Sequence, residues 1–164
     1  MKTILIFAFL WIVTNIWMRY GSTGSIALRE LTGENQLPDT MFFGYSLETL
    51  FALLKNYGKE GRTIYLGFQY KDFIYPLIYS TMLVGLLFRS NLPNGIRFLK
   101  FAPWIAALFD YIENLLVRDL VLSFPDLNAS LVSTASVFTA AKWMLIFVSI
   151  GFIIVFGLKR LISG

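Results

Sequence analysis

The chain has 164 residues, 57% of them hydrophobic and 17% aromatic, with only 15% charged and a formal net charge of +4. A soluble domain usually carries about 25% charged residues, so soluble, disordered and collagen-like classes are excluded. With no cysteine and no histidine, disulfide scaffolds, thiol chemistry, iron–sulfur clusters, His-based triads and most zinc sites are excluded as well.

A transmembrane helix needs about 20 mostly apolar residues, and four segments qualify. The first spans residues 3–20, an apolar run closed by Arg19. Lys2, the apolar run and the small residues 21–25 also fit a signal peptide. The run is longer and more aromatic than a usual signal core, which favours a retained helix.

Residues 21–71 form a long loop of mixed charge. Its first half, 21–40, reads as irregular, with Gly33, Pro38 and the acids Glu34 and Asp39. Gly44-Tyr45-Ser46 then leads into an amphipathic helix over 47–57. Ser46 is a good N-cap, Glu48 suits the positive N-terminus, and Gly58 ends the helix. Leu47, Leu50, Phe51 and Leu54 form its apolar stripe. From about Glu60 the pattern turns helical again and leads into the second apolar segment, 72–89.

The third segment is 98–118 and the fourth 131–158, the last interrupted only by Lys142. Lys2, the 89–100 connection and the end of the fourth segment carry six basic residues (Lys2, Arg89, Arg97, Lys100, Lys159, Arg160) and no acidic one. By the positive-inside rule both termini and the 89–100 loop are cytoplasmic. The 21–71 loop and the 119–130 turn then lie outside. The positive charge is thus a sign of topology and not of nucleic-acid binding. The expectation is one all-α membrane domain, a four-transmembrane-helix bundle with a large, partly helical extracytoplasmic loop between helices 1 and 2.

Ionisable residues at membrane depth are costly and normally face partners inside the bundle. Asp110, Glu113 and Asn114 stand at i, i+3 and i+4 and share one helix face, continued by Pro103, Ala106 and Ala107. Trp104, Leu108, Ile112 and Leu115 make the opposite, lipid-like face. Lys142 lies about 11 residues inside its helix and Asp110 about 8, comparable depths at 1.5 Å per residue. The spacing therefore predicts an ion pair from Lys142 to Asp110 or Glu113, and these three are the candidate catalytic residues. Asp72, Tyr75 and Tyr79 on the second segment, and Asn15 and Arg19 on the first, place further polar groups at the same end. With Asn114 they are the candidate ligand-binding residues of a polar pocket opening outward. Ala129, Ser133, Ser136 and Ala140 read as a stripe of close helix packing.

The threading is similar to that of the vitamin K epoxide reductase family, but that family works through cysteine pairs and this chain has none. The layout also resembles the sterol-isomerase and sigma-2-receptor superfamily. That resemblance implies comparable pocket roles for Asp110, Glu113 and Asn114. Phe124-Pro125-Asp126-Leu127-Asn128-Ala129-Ser130 resembles a segment of the aspartyl lipoprotein signal peptidases. Ser130 stands where their catalytic aspartate belongs and their second motif is missing, which excludes that activity.

Three functions fit these residues. The first is a pocket that binds or acts on a lipid or isoprenoid-like molecule, with Asp110 or Glu113 as acid or base and Lys142 tuning it. The second is a non-catalytic membrane subunit or scaffold whose buried charges are structural. The third, a proton or ion relay, is disfavoured by the apolar inner halves of the helices and would need an oligomer. Catalysis stays open. The implied partners are membrane lipids, a hydrophobic small molecule, and copies of this chain or other membrane subunits; no nucleic acid, cofactor or metal is implied.

Overall fold

The computed structural model describes residues 2–33 and 36–162, with side chains described as far as Gly157. Glu34 and the side chains of Lys159 and Arg160, which the charge argument uses, lie outside the described residues. Among the described residues every regular element is helical.

The six α-helices are α1 (Lys2–Arg19), α2 (Ser25–Thr32), α3 (Leu47–Asp72), α4 (Tyr75–Arg89), α5 (Ala102–Leu122) and α6 (Ala129–Ile162), with short 3-10 turns at Pro38–Thr40 and Asn94–Phe101. Three stretches are long and apolar enough to cross a membrane: Lys2–Arg19, Leu47–Arg89 and Ala129–Gly157. These support membrane association. The third segment read from sequence is not among them, because α5 carries Asp110, Glu113, Arg118 and Asp119 within its 21 residues.

The expectation that 21–40 is irregular is corrected. Ser25–Thr32 is a helix whose single buried residue, Leu28, plugs it into the core, and Gly33 at φ 71° ends it. One apolar anchor in eight residues is too little periodicity for a sequence to display. Gly58 has φ 61° and ψ −172°, so α3 is two helices meeting at a kink. Arg62 donates to the Leu54 carbonyl at 2.9 Å across that kink, and its guanidinium lies 4.3 Å from the centre of the Phe124 ring. Such a partner satisfies a carbonyl that the broken helix leaves open. Ser46 caps α3 by accepting from the Thr49 amide at 3.2 Å. Phe73 and Ile74 separate α3 from α4, and Pro76 and Pro103 sit in the first turns of α4 and α5, where a missing N–H costs nothing.

α6 packs most extensively on α5, α5 on α4, and α4 on α1. The buried face of α6 runs Val132, Ala135, Thr139, Lys142, Ile146 and Ser149. This spacing of three and four residues is that of one helix face. It corrects the small-residue stripe, since Ala129 and Ser133 are exposed. Ser136 alone makes a close approach: its hydroxyl accepts from the Tyr45 amide at 2.7 Å.

Apolar burial falls into two clusters. One joins α2, α3, the C-terminal half of α5 and the start of α6, with Leu28, Leu50, Leu54, Tyr65, Leu120 and Val132 at its centre. The other joins α4, the N-terminal half of α5 and the middle of α6 through Tyr79, Leu83, Ala106 and Ile146. Around the second cluster the exposed face is apolar on four helices, including Phe9 on α1, Leu77 on α4, Leu108 on α5 and Val137 to Val155 on α6. The exposed face of α6 before Val137 is instead Ser130, Ser133 and Thr134.

Gly44 has φ 83°, and a Cβ there would stand 2.5 Å from the Ser136 hydroxyl and 3.2 Å from its carbonyl oxygen. Gly33 has a similar φ of 71° with nothing near. The left-handed conformation costs a non-glycine residue about 1–2 kcal/mol, and overpacking adds about 1–3 kcal/mol. Gly44→Ala is therefore expected to lower the thermal unfolding temperature in detergent clearly more than Gly33→Ala. Equal shifts would mean that the loop does not press on α6.

Candidate functional site

Between the two apolar clusters lies a layer of buried polar side chains. Thr139 and Lys142 hold this level on α6, and Asp110, Glu113 and Asn114 hold it on α5. Each helix is apolar above and below, so the layer is fixed by helical register on both.

Lys142 Nζ lies 2.8 Å from Asp110 Oδ1 and 2.6 Å from Glu113 Oε2, and all three side chains are almost fully buried. Thr139 donates its hydroxyl to Glu113 Oε1 at 2.6 Å. Beside Asp110 on the same face of α5, the Asn114 side-chain amide donates to Asp72 Oδ2 at 2.9 Å, and Gln69 donates to the Asn114 backbone carbonyl at 3.2 Å. Asp72 ends α3, so the loop-side helix delivers a further polar chain into the layer.

Beside this layer is a cavity of about 240 Å³. Asp39, Asp72, Asp110 and Lys142 form its polar end. Its walls include Trp11, Tyr75, Tyr79, Leu83, Trp143 and Ile146. Trp11 donates to the Tyr75 hydroxyl at 2.9 Å, which ties α1 to α4 along one wall. The Tyr79 hydroxyl is buried without a hydrogen-bond partner.

The sequence-chosen residues therefore separate. Asp110, Glu113 and Lys142 come together, but Glu113 does not line the cavity; it lies behind Lys142, on the Thr139 side. Asp72, Tyr75 and Tyr79 line the cavity, and Asn114 holds Asp72 without lining it. Asn15 bonds back to the Trp11 carbonyl at 2.8 Å, outside the cavity wall. Arg19 is exposed at the end of α1 and also lies outside the wall. Asn15 and Arg19 continue the face on which α1 presents Trp11 to the cavity, but they lie further along the helix than the wall extends.

Asp39 is the residue that sequence reasoning missed. The Trp143 indole donates to its backbone carbonyl at 2.6 Å, which fastens the 3-10 turn to α6. Its Oδ1 is buried with no hydrogen-bond partner. Burial pushes the Asp39 carboxyl above its ordinary range; Lys142 pulls it down and Asp110 pushes it up. No local pattern signals this residue, because its position is set by a contact more than 100 residues away. Thr139 was legible in principle, standing three residues before Lys142 on the same face. Tyr45 is likewise buried with its hydroxyl unpartnered, and burial together with the nearby Glu113 raises its pKa.

Four carboxyl groups thus share the layer and the cavity end with one lysine. Among the described residues no group of three or more acidic side chains is placed to hold a metal ion. Comparisons with protein-family models, with curated proteins and with solved structures find no match for the chain.

Removing one member of a buried ion pair typically costs about 3–5 kcal/mol, because the remaining charge stays buried and unpaired. Lys142→Met should therefore destabilise the protein strongly. Adding Asp110→Asn and Glu113→Gln to Lys142→Met should recover most of the loss in the same melting measurement. A triple variant no more stable than Lys142→Met would show that the three groups are not energetically one unit.

Proposed function

We propose that this chain is an integral membrane protein that binds a hydrophobic, lipid-like molecule in the cavity, its polar head against Asp39, Asp72 and Asp110. The observation that carries this reading is a cavity with apolar and aromatic walls whose single polar end is made of buried ionisable groups. Binding pockets combine apolar lining with a few placed polar groups in this way.

In this reading α1, α4, α5 and α6 all cross the bilayer. The exposed apolar belt on α6, from Val137 to Val155, is about 27 Å long at 1.5 Å per residue, close to the hydrocarbon thickness of about 30 Å. Lys142 then sits five residues inside one edge of the belt, in the leaflet that the positive-inside rule makes the outer one. α5 is tolerated as a span because Asp110 and Glu113 face Lys142 and Arg118 donates to the Tyr70 hydroxyl of α3. The acids and aromatics of α3 and the 3-10 turn roof the site from outside.

The cavity lies where α1 and α6, both packed through other helices, do not pack extensively on one another. Typical pockets for whole small molecules are about 300–1,000 Å³. A 240 Å³ cavity suits a head group and its first carbons, with the tail leaving sideways between α1 and α6 into lipid. Asp110, Asp39 and Asp72 are the acids within reach of a ligand. Any proton transfer falls to them, with Lys142 paired to Asp110 and Glu113 holding Lys142 in place.

The second reading, a scaffold in which the charges only lock helices together, is favoured by the direct Lys142 contacts. Lipid extraction of protein purified in mild detergent separates the two. A bound amphiphile near one per chain, lost in the cavity-filling variant Leu83→Trp while the protein still folds, is expected. No bound amphiphile in the unmodified protein would favour the scaffold. Because the chain has no cysteine, single substitutions report topology cleanly. Lys55→Cys and Asp126→Cys should react with a membrane-impermeant maleimide in intact cells, and Asn91→Cys only after permeabilisation. Labelling of all three from one side would remove the four-span arrangement.

A further inference from the structure

We infer that the cavity selects an amphiphile with a positively charged nitrogen in its head, an inference that rests on the cavity being a binding site. The charge arrangement argues for it. Lys142 is taken up by Asp110 and Glu113, at 2.8 Å and 2.6 Å. Asp39 and Asp72 then face the same cavity with no cation of their own. Asp72 has a neutral partner, the Asn114 amide, and Asp39 Oδ1 has none.

A second observation concerns a neutral group beside Asp110. Tyr79 is 5% exposed, lines the cavity, and leaves its hydroxyl unsatisfied. Buried polar groups in folded proteins almost always find a partner, so an orphan aimed into a cavity marks a place for one. The aromatic side chains around the polar end (Trp11, Tyr75, Tyr79 and Trp143) present ring faces and edges to the same space. Aromatic rings attract a cation, and more strongly when water is excluded.

An anionic head, a phosphate or carboxylate, would meet two unpaired acids and gain only a lysine already doubly paired. An uncharged alcohol could bond Asp39 or Tyr79 but would leave the charge imbalance in place, so both acids would have to be protonated. An ammonium head neutralises a carboxylate directly and donates to Asp39 Oδ1 or the Tyr79 oxygen. Burying a charge is tolerable only when it is paired and hydrogen-bonded, and this head supplies what the site lacks.

The test uses the full chain in lipid nanodiscs and three probes of one alkyl length: a dimethylalkylamine, a primary alcohol and a carboxylic acid. Affinity is read by titration calorimetry, with Leu83→Trp as the blocked control. The amine should bind at least about tenfold more tightly than the alcohol, and the acid most weakly. Asp39→Asn, and separately Asp72→Asn, should reduce amine affinity by about tenfold and leave the alcohol within a factor of about two. Two variants are used so that a folding defect in one does not decide the result. Alcohol or acid binding as tightly as the amine, in a manner blocked by Leu83→Trp, would overturn the charge preference while leaving the binding site standing. If none of the three binds, or binding is indifferent to Leu83→Trp, both the preference and the site are overturned.

Discussion

The buried ammonium of Lys142 is the constraint around which the rest of the structure is arranged. A lysine 3% exposed at the middle of an otherwise apolar helix is costly unless its charge is matched at contact distance. Two carboxylates on α5 meet it, and both must come from one face, which fixes the rotation of α5 against α6. Thr139, one turn before Lys142, then holds the second oxygen of Glu113. The α5–α6 pair is set in axial register by Lys142 and its two partners, with Thr139 fixing one of them. The two apolar clusters are what that register leaves above and below.

The same constraint explains why residues 37–45 leave the cap and lie along α6. The Trp143 indole needs an acceptor once its ring is partly buried, and the Asp39 carbonyl is that acceptor. Phe42 packs edge-on to Trp143 at 4.5 Å between ring centres, and Gly44 lets the backbone reach Ser136. Contacts at Trp143 and at Ser136, about two turns apart on α6, hold the turn there. Asp39 is thereby carried to the mouth of the polar layer by its backbone, with its Oδ1 left without a hydrogen-bond partner. A side chain placed by its main chain, and not by its own bonds, is available to a ligand.

What was legible in the sequence is what depends on local period. The facing of Asp110, Glu113 and Asn114, with Trp104, Leu108 and Leu115 turned outward, follows from helical spacing alone. So does a meeting with Lys142, once both depths are counted from the helix ends. The Ser46 cap and the break at Gly58 were legible for the same reason, being encoded within a few residues. Asp39 was hidden because an eight-residue helix and two glycine turns decide where the chain goes after residue 20, and none has a strong period. Arg19 and Asn15 share the Trp11 face but lie beyond the cavity wall, an extent that spacing alone does not give.

The division of labour among the acids follows from their different partners. Asp110 and Glu113 both contact Lys142, yet only Asp110 reaches the cavity, so the pair separates into one group that meets a ligand and one that fixes the lysine. Asp72 is held by an amide donor, a neutral partner that satisfies one of its oxygens without balancing a charge. Asp39 Oδ1 has no hydrogen-bond partner. The sequence Glu113, Asp110, Asp72, Asp39 is therefore one of decreasing commitment to the protein itself. A scaffold has no use for such a gradient, since buried charge that only locks helices gains most when every group is paired. The gradient ends at the cavity, where the least committed acid and the unsatisfied Tyr79 hydroxyl stand in the same wall. Tyr45, Gln69 and Arg118 also keep unpartnered buried atoms away from the cavity, so what sets Asp39 and Tyr79 apart is that both line it.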